Sequence, residues 1–200
     1  TFSASVLGLP LSDCDLDAGA FAVDLWATQP APDAEATQFF LLGFGKALLI
    51  SLANTPDGQM EITVGWGDGE VQDQCHKTTG SLPALEFEPP ALSMEWNPFV
   101  IPASPARLRV EDLQLEATLA PDCSWFGGGT LTGLVDIRRN GNWFANAFYG
   151  VRDIDEICDG VQGFGSRCEA CSDGEPVCIP FGLERVTGFQ TEEPLTVITA

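Results

Sequence analysis

Apolar and polar positions alternate along most of this chain, in short runs broken by turn residues. Phe2 to Leu9 alternates weakly in the manner of a strand, and Ser12 to Gly19 (SDCDLDAG) reads as a turn. Ala20 to Thr28 (AFAVDLWAT) puts Phe21, Val23 and Leu25 on one face, which predicts a half-buried strand. After a loop carrying Pro30, Pro32 and Asp33, the apolar run Phe39 to Ala53 (FFLLGFGKALLISLA) predicts two buried strands bent at Gly43 and Gly45. Asn54 to Gly58 (NTPDG) is a turn, and Gln59 to Gly65 alternates again. Asp68-Gly69 predicts a tight hairpin, because such a pair tolerates positive φ, with a return strand to about Cys75.

The proline-rich residues 79–105 read as an irregular crossover. Beyond them, Leu108 and Val110 share one parity, whereas Leu113, Leu115, Ala117 and Leu119 share the other. A slip of one residue at Glu111-Asp112 is what a β-bulge produces, since one extra residue flips the facing side. Pro121-Asp122 turns the chain, Gly127 to Gly129 leads into a strand over Thr130 to Arg138, and Arg139 to Asn142 turns it once more. Trp143 to Tyr149 is expected to be a further strand. The period then changes: Ile154, Ile157, Cys158 and Val161 fall at i, i+3, i+4 and i+7, the stripe of a short helix. Asp153 and Glu156 are placed to form a capping box at its start, and Gly160 and Gly163 limit its length. Phe181 to Phe189 and Leu195 to Thr199 close the pattern as strands. The expected fold is all-β, a sandwich or barrel of about ten short antiparallel strands with one short helix. It is expected to be a single β domain over 1–200, with 153–180 as a cysteine-rich helix-loop appendage.

Composition narrows the function more than the fold. Nine Lys and Arg residues face 29 Asp and Glu, giving a net charge of −20. Lys46 and Lys77 are the only cations of the first hundred residues. No basic patch can neutralise phosphates, which excludes nucleic acid as a partner and attraction to anionic membranes by charge. The apolar run 39–53 is too short to span a bilayer and carries Lys46. The sequence starts at Thr1 without Met or leader, as expected of a chain whose export signal is removed or left out.

Four of seven cysteines, Cys158, Cys168, Cys171 and Cys178, crowd a stretch of Gly, Ser, Asp and Pro too poor in apolar residues to fold on a core of its own. Their spacing, C-x9-C-x2-C-x6-C, contains one C-x2-C pair where zinc sites use two knuckles, and it does not match iron–sulfur patterns. Disulfides need only proximity, and two local bridges are expected, Cys158 with Cys168 and Cys171 with Cys178. Each closes a small loop worth about 2–3 kcal/mol in the chain-entropy model. Cys14, Cys75 and Cys123 are expected to supply one further bridge and leave one thiol over, and spacing does not select which. As a redox pair, Cys168-Glu-Ala-Cys171 lacks the usual place at the start of a helix after a strand.

Other motifs are weaker. Asp13, Asp15 and Asp17, with Asp24 at the twelfth position, resemble a calcium loop, whose alternation aims carboxylates into one cavity. The sixth position is Ala18 rather than Gly and a strand pattern follows, so an acidic turn before a strand is preferred, with Ca²⁺ as the alternative. No other cofactor is expected. His76, the sole histidine, would have to serve any Ser-His-Asp or Cys-His triad, and no G-x-S-x-G elbow accompanies it. Of five tryptophans, Trp125 beside the triple glycine and Trp66 before a turn are expected to be exposed and available to a ligand.

Residues Asp155 to Ile179 (DEICDGVQGFGSRCEACSDGEPVCI) resemble the C-terminal segment of uncharacterised exported or lipoprotein-type β proteins of Gram-negative bacteria. There a short helix carrying Cys precedes C-x-x-C-x-D-G and a final Cys. The resemblance implies an envelope location and no particular activity, and Thr1 does not match the lipidated Cys of such lipoproteins. The expected function is therefore a non-enzymatic, extracytoplasmic structural or interaction protein that binds another envelope or surface protein. The compartment would be periplasm, outer-membrane surface or exterior. The alternative is a small-ligand or carbohydrate-binding module using Trp66 and Trp125, with or without Ca²⁺.

Overall fold

The hydrophobic alternation folds into one long antiparallel sheet. The computed structural model describes residues 19–41, 46–54, 60–83, 90–101 and 107–198. Among them the strands are β1 (Ala20–Val23), β2 (Gln29–Pro30), β3 (Ala47–Asn54), β4 (Met60–Asp68), β5 (Val71–Gln72), β6 (Thr79–Pro83), β7 (Ala91–Trp96), β8 (Phe99–Ile101), β9 (Leu108–Leu119), β10 (Trp125–Asp136) and β11 (Cys178–Gln190). The helices are α1 (Ala36–Leu41), α2 (Gly141–Ala147) and α3 (Ile154–Gln162), with a 3-10 turn at Leu25–Ala27. The sheet order is β5-β4-β3-β1-β11-β10-β9-β7. Beside this path, β6 pairs β4, β2 pairs β11 and β8 pairs β9. The sheet curls into a half-barrel, the all-β architecture expected.

One row of paired positions shows how the interior fills. Trp66 pairs Leu48, Leu48 pairs Val23, Val23 pairs Gly188, Gly188 pairs Phe126 and Phe126 pairs Leu119. Paired residues of an antiparallel ladder point to the same face, and every member of this row is buried. Gly188 is the gap in it, and the Phe126 ring fills that gap and meets Phe21 at 5.4 Å between centroids. Trp66 on β4 also meets Phe99 on β8 at 5.6 Å, and Phe99 meets Trp96 at 5.8 Å. The two arms of the curl thus touch through aromatic side chains although β4 and β8 are not neighbours in the sheet.

Bulges bend the central strands. Thr132 pairs Gln114 while Leu134 pairs Glu111, so β9 carries one extra residue where the parity slip predicts it, and Asp112 has φ 49°. Gly128, at φ 63°, is the extra residue of β10 opposite both its neighbours, and Arg185, at φ 59°, is that of β11. Each unpaired residue increases local twist, which is what an open sheet needs to curl.

Several expectations are corrected. The run 39–53 is not two strands: Ala36, Thr37, Phe40 and Leu41 are buried at i, i+1, i+4 and i+5, and α1 precedes β3. Trp143 to Tyr149 is not a strand either, because Trp143 and Phe144 are buried on α2 and Ala147 and Phe148 pack beside them one turn on. The crossover 79–105 contains β6, β7 and β8, and in β7 Leu92, Met94 and Trp96 alternate into the core. The β4–β5 hairpin turns at Gly69 (φ 64°) and Glu70, since Asp68 already pairs Val71. Residues 194–198 form no strand. They run beside Gln72 and Thr78 through side-chain and backbone bonds, and Leu195 lies over Gly65. The expected strand over 2–9 lies outside the described residues.

The three helices gather around an aromatic cluster. Phe39 contacts Phe40, Trp143, Phe148 and Phe164, and Phe40 contacts Trp143 and Phe144, with centroids 4.8 to 6.3 Å apart. Helix α3 starts as predicted: Asp153 accepts a bond from the Glu156 N–H at 3.1 Å, and Gly163 ends it. Its Ile157 and Val161 are fully buried in the same core as the sheet.

Candidate functional site

The cysteine-rich stretch forms the two expected local disulfides, Cys158–Cys168 and Cys171–Cys178. Among the described residues Cys75 is the free, exposed thiol, and Cys123 is disulfide-bonded. Cys14 lies outside the described residues. Disulfides of this kind belong to an oxidising, extracytoplasmic environment. No helix among the described residues is long and apolar enough to cross a membrane.

Behind the Cys171–Cys178 loop sits a chain of charges at the end of β10. Asp136, only 1% exposed, accepts from the Arg138 backbone N–H at 2.8 Å and from its guanidinium at 2.7 to 3.2 Å. The same Arg138 reaches Asp173 at 2.8 Å, within the disulfide loop, and Arg139 pairs Glu111 at 2.9 Å. Burial raises the Asp136 pKa, but the bonds from Arg138 and the charges of Arg138 and Arg139 outweigh it and hold the carboxyl below its ordinary range. Asn140 adds neutral bonds, donating to the Arg109 and Asp136 carbonyls and accepting the Arg109 N–H at 2.7 Å. Asp136 also lies within 4.8 Å of the Cys171 and Cys178 sulfurs. Both sulfurs are consumed by their disulfide and offer no thiolate to a metal. The network ties the cysteine loop to the sheet.

A second polar cluster follows β5. Asp73 accepts from the Cys75 backbone N–H at 2.8 Å, meets His76 Nδ1 at 3.0 Å and pairs Lys46 at 3.0 Å. These partners, the Cys75 N–H first and Lys46 next, hold Asp73 far below the usual carboxylate range. Lys46 is shared with Asp68 at 2.6 Å. With its carboxylate taken up by three donors, Asp73 staples the turn that carries His76 and Cys75.

The outer face of the sheet carries aromatic side chains in solvent. Ala22 pairs Phe189, and Phe189 pairs Trp125, so the three stand side by side opposite the core. Phe189 is 59% and Trp125 45% exposed. The Trp125 ring lies over Gly127, where a Cβ would come within 2.5 Å of it. Next to Phe189 opens a groove of about 250 Å³, whose walls include Ala22, Asp24, Thr28, Glu70, Arg185 and Thr187. The bulge that gives Arg185 positive φ places it in this wall.

Of the expected ligand residues, Trp125 stands on the surface, but Trp66 does not. Trp66 is 4% exposed because it continues the inward parity of Ile62 and Val64 and packs on Phe99. Asp24 accepts the Trp26 N–H at 2.9 Å and so caps the 3-10 turn. Asp13, Asp15 and Asp17, the other candidate calcium ligands, lie outside the described residues. Phe189 and Arg185 were not singled out from the sequence: Phe189 shares the parity of buried Phe181 and Leu183, and it is the extra residue Arg185 that shifts the register and turns it outward. No family model, curated protein or solved structure matches this chain.

Proposed function

We propose that this protein is a non-enzymatic interaction domain of a bacterial envelope or cell-surface assembly, and that it docks another protein through the outer sheet face around Trp125 and Phe189. The observation that carries the reading is the cross-strand pair itself: two large aromatic residues, 45% and 59% exposed, set side by side on a rigid sheet. Large exposed aromatics of this kind are the usual anchors of protein interfaces. The disulfides support a place outside the cytoplasm, and the Cys-bearing helix followed by C-x-x-C-x-D-G supports the envelope. Recovery of a near-stoichiometric partner from solubilised envelopes tests this reading, with the Trp125→Ala/Phe189→Ala chain as comparison. Loss of the partner with an unchanged melting temperature is the expected result, and equal recovery with both chains refutes it.

A carbohydrate-binding role for the same face is the second reading, favoured by the groove beside Phe189. Asp24, Thr28, Glu70, Arg185 and Thr187 surround one aromatic ring there, an arrangement suited to sugar hydroxyls. Tryptophan fluorescence titrated against a glycan panel separates the two. Saturable quenching at micromolar sugar, lost in Trp125→Ala, favours the second reading over the first.

A further inference from the structure

On the helical side of the molecule lies a pocket that neither proposed role uses. It has a volume of about 330 Å³ and is lined by Trp26, Glu35, Gln38, Phe39 and Phe164. That size is at the small end for ligand sites. Its walls come from three separate segments, each fixed by its own bonds. Trp26 stands on the 3-10 turn capped by Asp24 at 2.9 Å. Gln38 and Phe39 stand on α1, whose first N–H, that of Ala36, is accepted by the fully buried Ser166 Oγ at 2.8 Å. Phe164 follows α3, with its N–H held by the Val161 carbonyl at 3.0 Å, and its ring stacks on Phe39 with centroids 4.8 Å apart and planes 19° from parallel. Close behind, the Cys158–Cys168 disulfide ties α3 to the segment that follows Ser166.

The lining specifies a chemistry. Trp26 and Phe164 remain 44% and 45% exposed, large aromatic surface offered to solvent. Glu35 is the only ionisable side chain of the lining among the described residues, and it lies against Gly165, where a Cβ would come within 3.1 Å of its carboxylate oxygen. Among the described residues no cationic side chain lines the pocket, and the whole chain is strongly acidic. Aromatic faces beside one carboxylate attract a cation by quadrupole and charge together. A sugar would need several hydrogen-bonding partners, whereas three of the five described lining residues are aromatic. A primary ammonium would bring three N–H donors that the rings cannot satisfy. A quaternary ammonium has no N–H to satisfy and carries an apolar shell of methyl groups.

We propose that Trp26, Phe39, Phe164 and Glu35 form a binding site for a small quaternary ammonium group. Isothermal titration of the full chain with choline, with its neutral isostere 3,3-dimethylbutan-1-ol and with Nα-acetyl-lysine amide tests the assignment. Saturable one-to-one binding of choline is expected. Trp26→Ala and Phe164→Ala should each weaken it roughly fivefold, the effect of one cation–π contact of intermediate exposure. Glu35→Gln should weaken choline and leave the neutral isostere unchanged, a readout that simple unfolding of the pocket does not produce, and far-ultraviolet dichroism checks that each variant is folded. Equal binding of choline and the isostere, tighter binding of the lysine amide, or choline binding unchanged in folded Trp26→Ala overturns the proposal, as does the absence of saturable choline binding.

Discussion

Asp136→Asn separates a buried ionic anchor from an ordinary surface ion pair. Asp136 is 1% exposed, and its carboxylate receives one backbone and several guanidinium bonds from Arg138. The amide keeps one oxygen for the backbone N–H but turns an NH₂ toward a guanidinium and removes the charge. Stranding one half of a fully buried pair costs about 3–5 kcal/mol. Here Arg138 keeps Asp173 at 2.8 Å and part of its side chain in water, so it is not stranded. A loss of about 2–3 kcal/mol follows, in line with forfeiting charge-assisted bonds. For a chain of this length that lowers the melting temperature by about 4–12 °C. Asp173→Asn, which breaks only the exposed end of the chain of charges, should lower the melting temperature far less than Asp136→Asn does. Calorimetry of both variants at neutral pH measures the contrast. The pH dependence adds a second check: because the folded pKa of Asp136 is depressed, its stabilisation is complete above the ordinary carboxylate range and is lost as pH falls through the lower folded value. The gap between wild type and Asp136→Asn should therefore shrink as the pH falls through and below the ordinary carboxylate range. Equal effects of the two substitutions, or a gap that stays constant over that range, refutes the anchor.

Three further variants probe the scaffold. The Cys158→Ala/Cys168→Ala chain should lose about 2–3 kcal/mol in urea unfolding, from the loop-closure entropy of the ten-residue separation. A loss below about 1 kcal/mol would mean that α3 is held by its buried Ile157 and Val161 alone. Gly188→Ala should cost about 1–3 kcal/mol, because the new Cβ would stand 2.3 Å from the ring of fully buried Phe126. Gly141→Ala, at the start of α2 with nothing within 4 Å, should be neutral or gain about 0.5–1 kcal/mol. Thermal unfolding of the two glycine variants side by side distinguishes a packing gap from a backbone effect.

How much of this was legible in the sequence depended on how long each pattern ran. The twelve-residue strand β9 was long enough for its parity slip to be seen, and the bulge lies there. The i, i+3, i+4, i+7 stripe and the Asp153 cap announced α3. Helix α1 covers six residues, less than two turns, so its apolar run could not be told from a strand by period. In α2 the aromatic residues suggested a strand by propensity, yet Trp143, Phe144, Ala147 and Phe148 already held the helical spacing. Trp66 was misplaced by stopping the alternation one step early, since Ile62, Val64 and Trp66 share one parity. What no local pattern could give was pairing. Trp125 and Phe189 become neighbours only once β10 lies against β11.

Both candidate binding surfaces depend on one interruption in the sheet. Strands β1 and β2 pair the same side of β11, at Phe21 to Val23 and at Gln29 to Pro30, and the 3-10 turn Leu25–Ala27 breaks what would otherwise be one strand. Leu25 is buried and anchors the turn, while Trp26 and Ala27 are turned out. Asp24, Ala27 and Thr28 line the groove beside Phe189, and Trp26, between them in sequence, lines the ammonium pocket. A continuous strand would alternate these side chains between core and solvent and could not place neighbours in two different cavities. The turn is closed by Asp24 accepting the Trp26 N–H, by Ala27 N–H to the Asp24 carbonyl at 3.1 Å and by Thr28 Oγ1 donating to the Leu25 carbonyl. A ligand that packs on Trp26 therefore restrains the same turn that shapes the groove. The two surfaces are joined by five residues of backbone, so occupancy of one is physically able to bias the other without any change in the sheet.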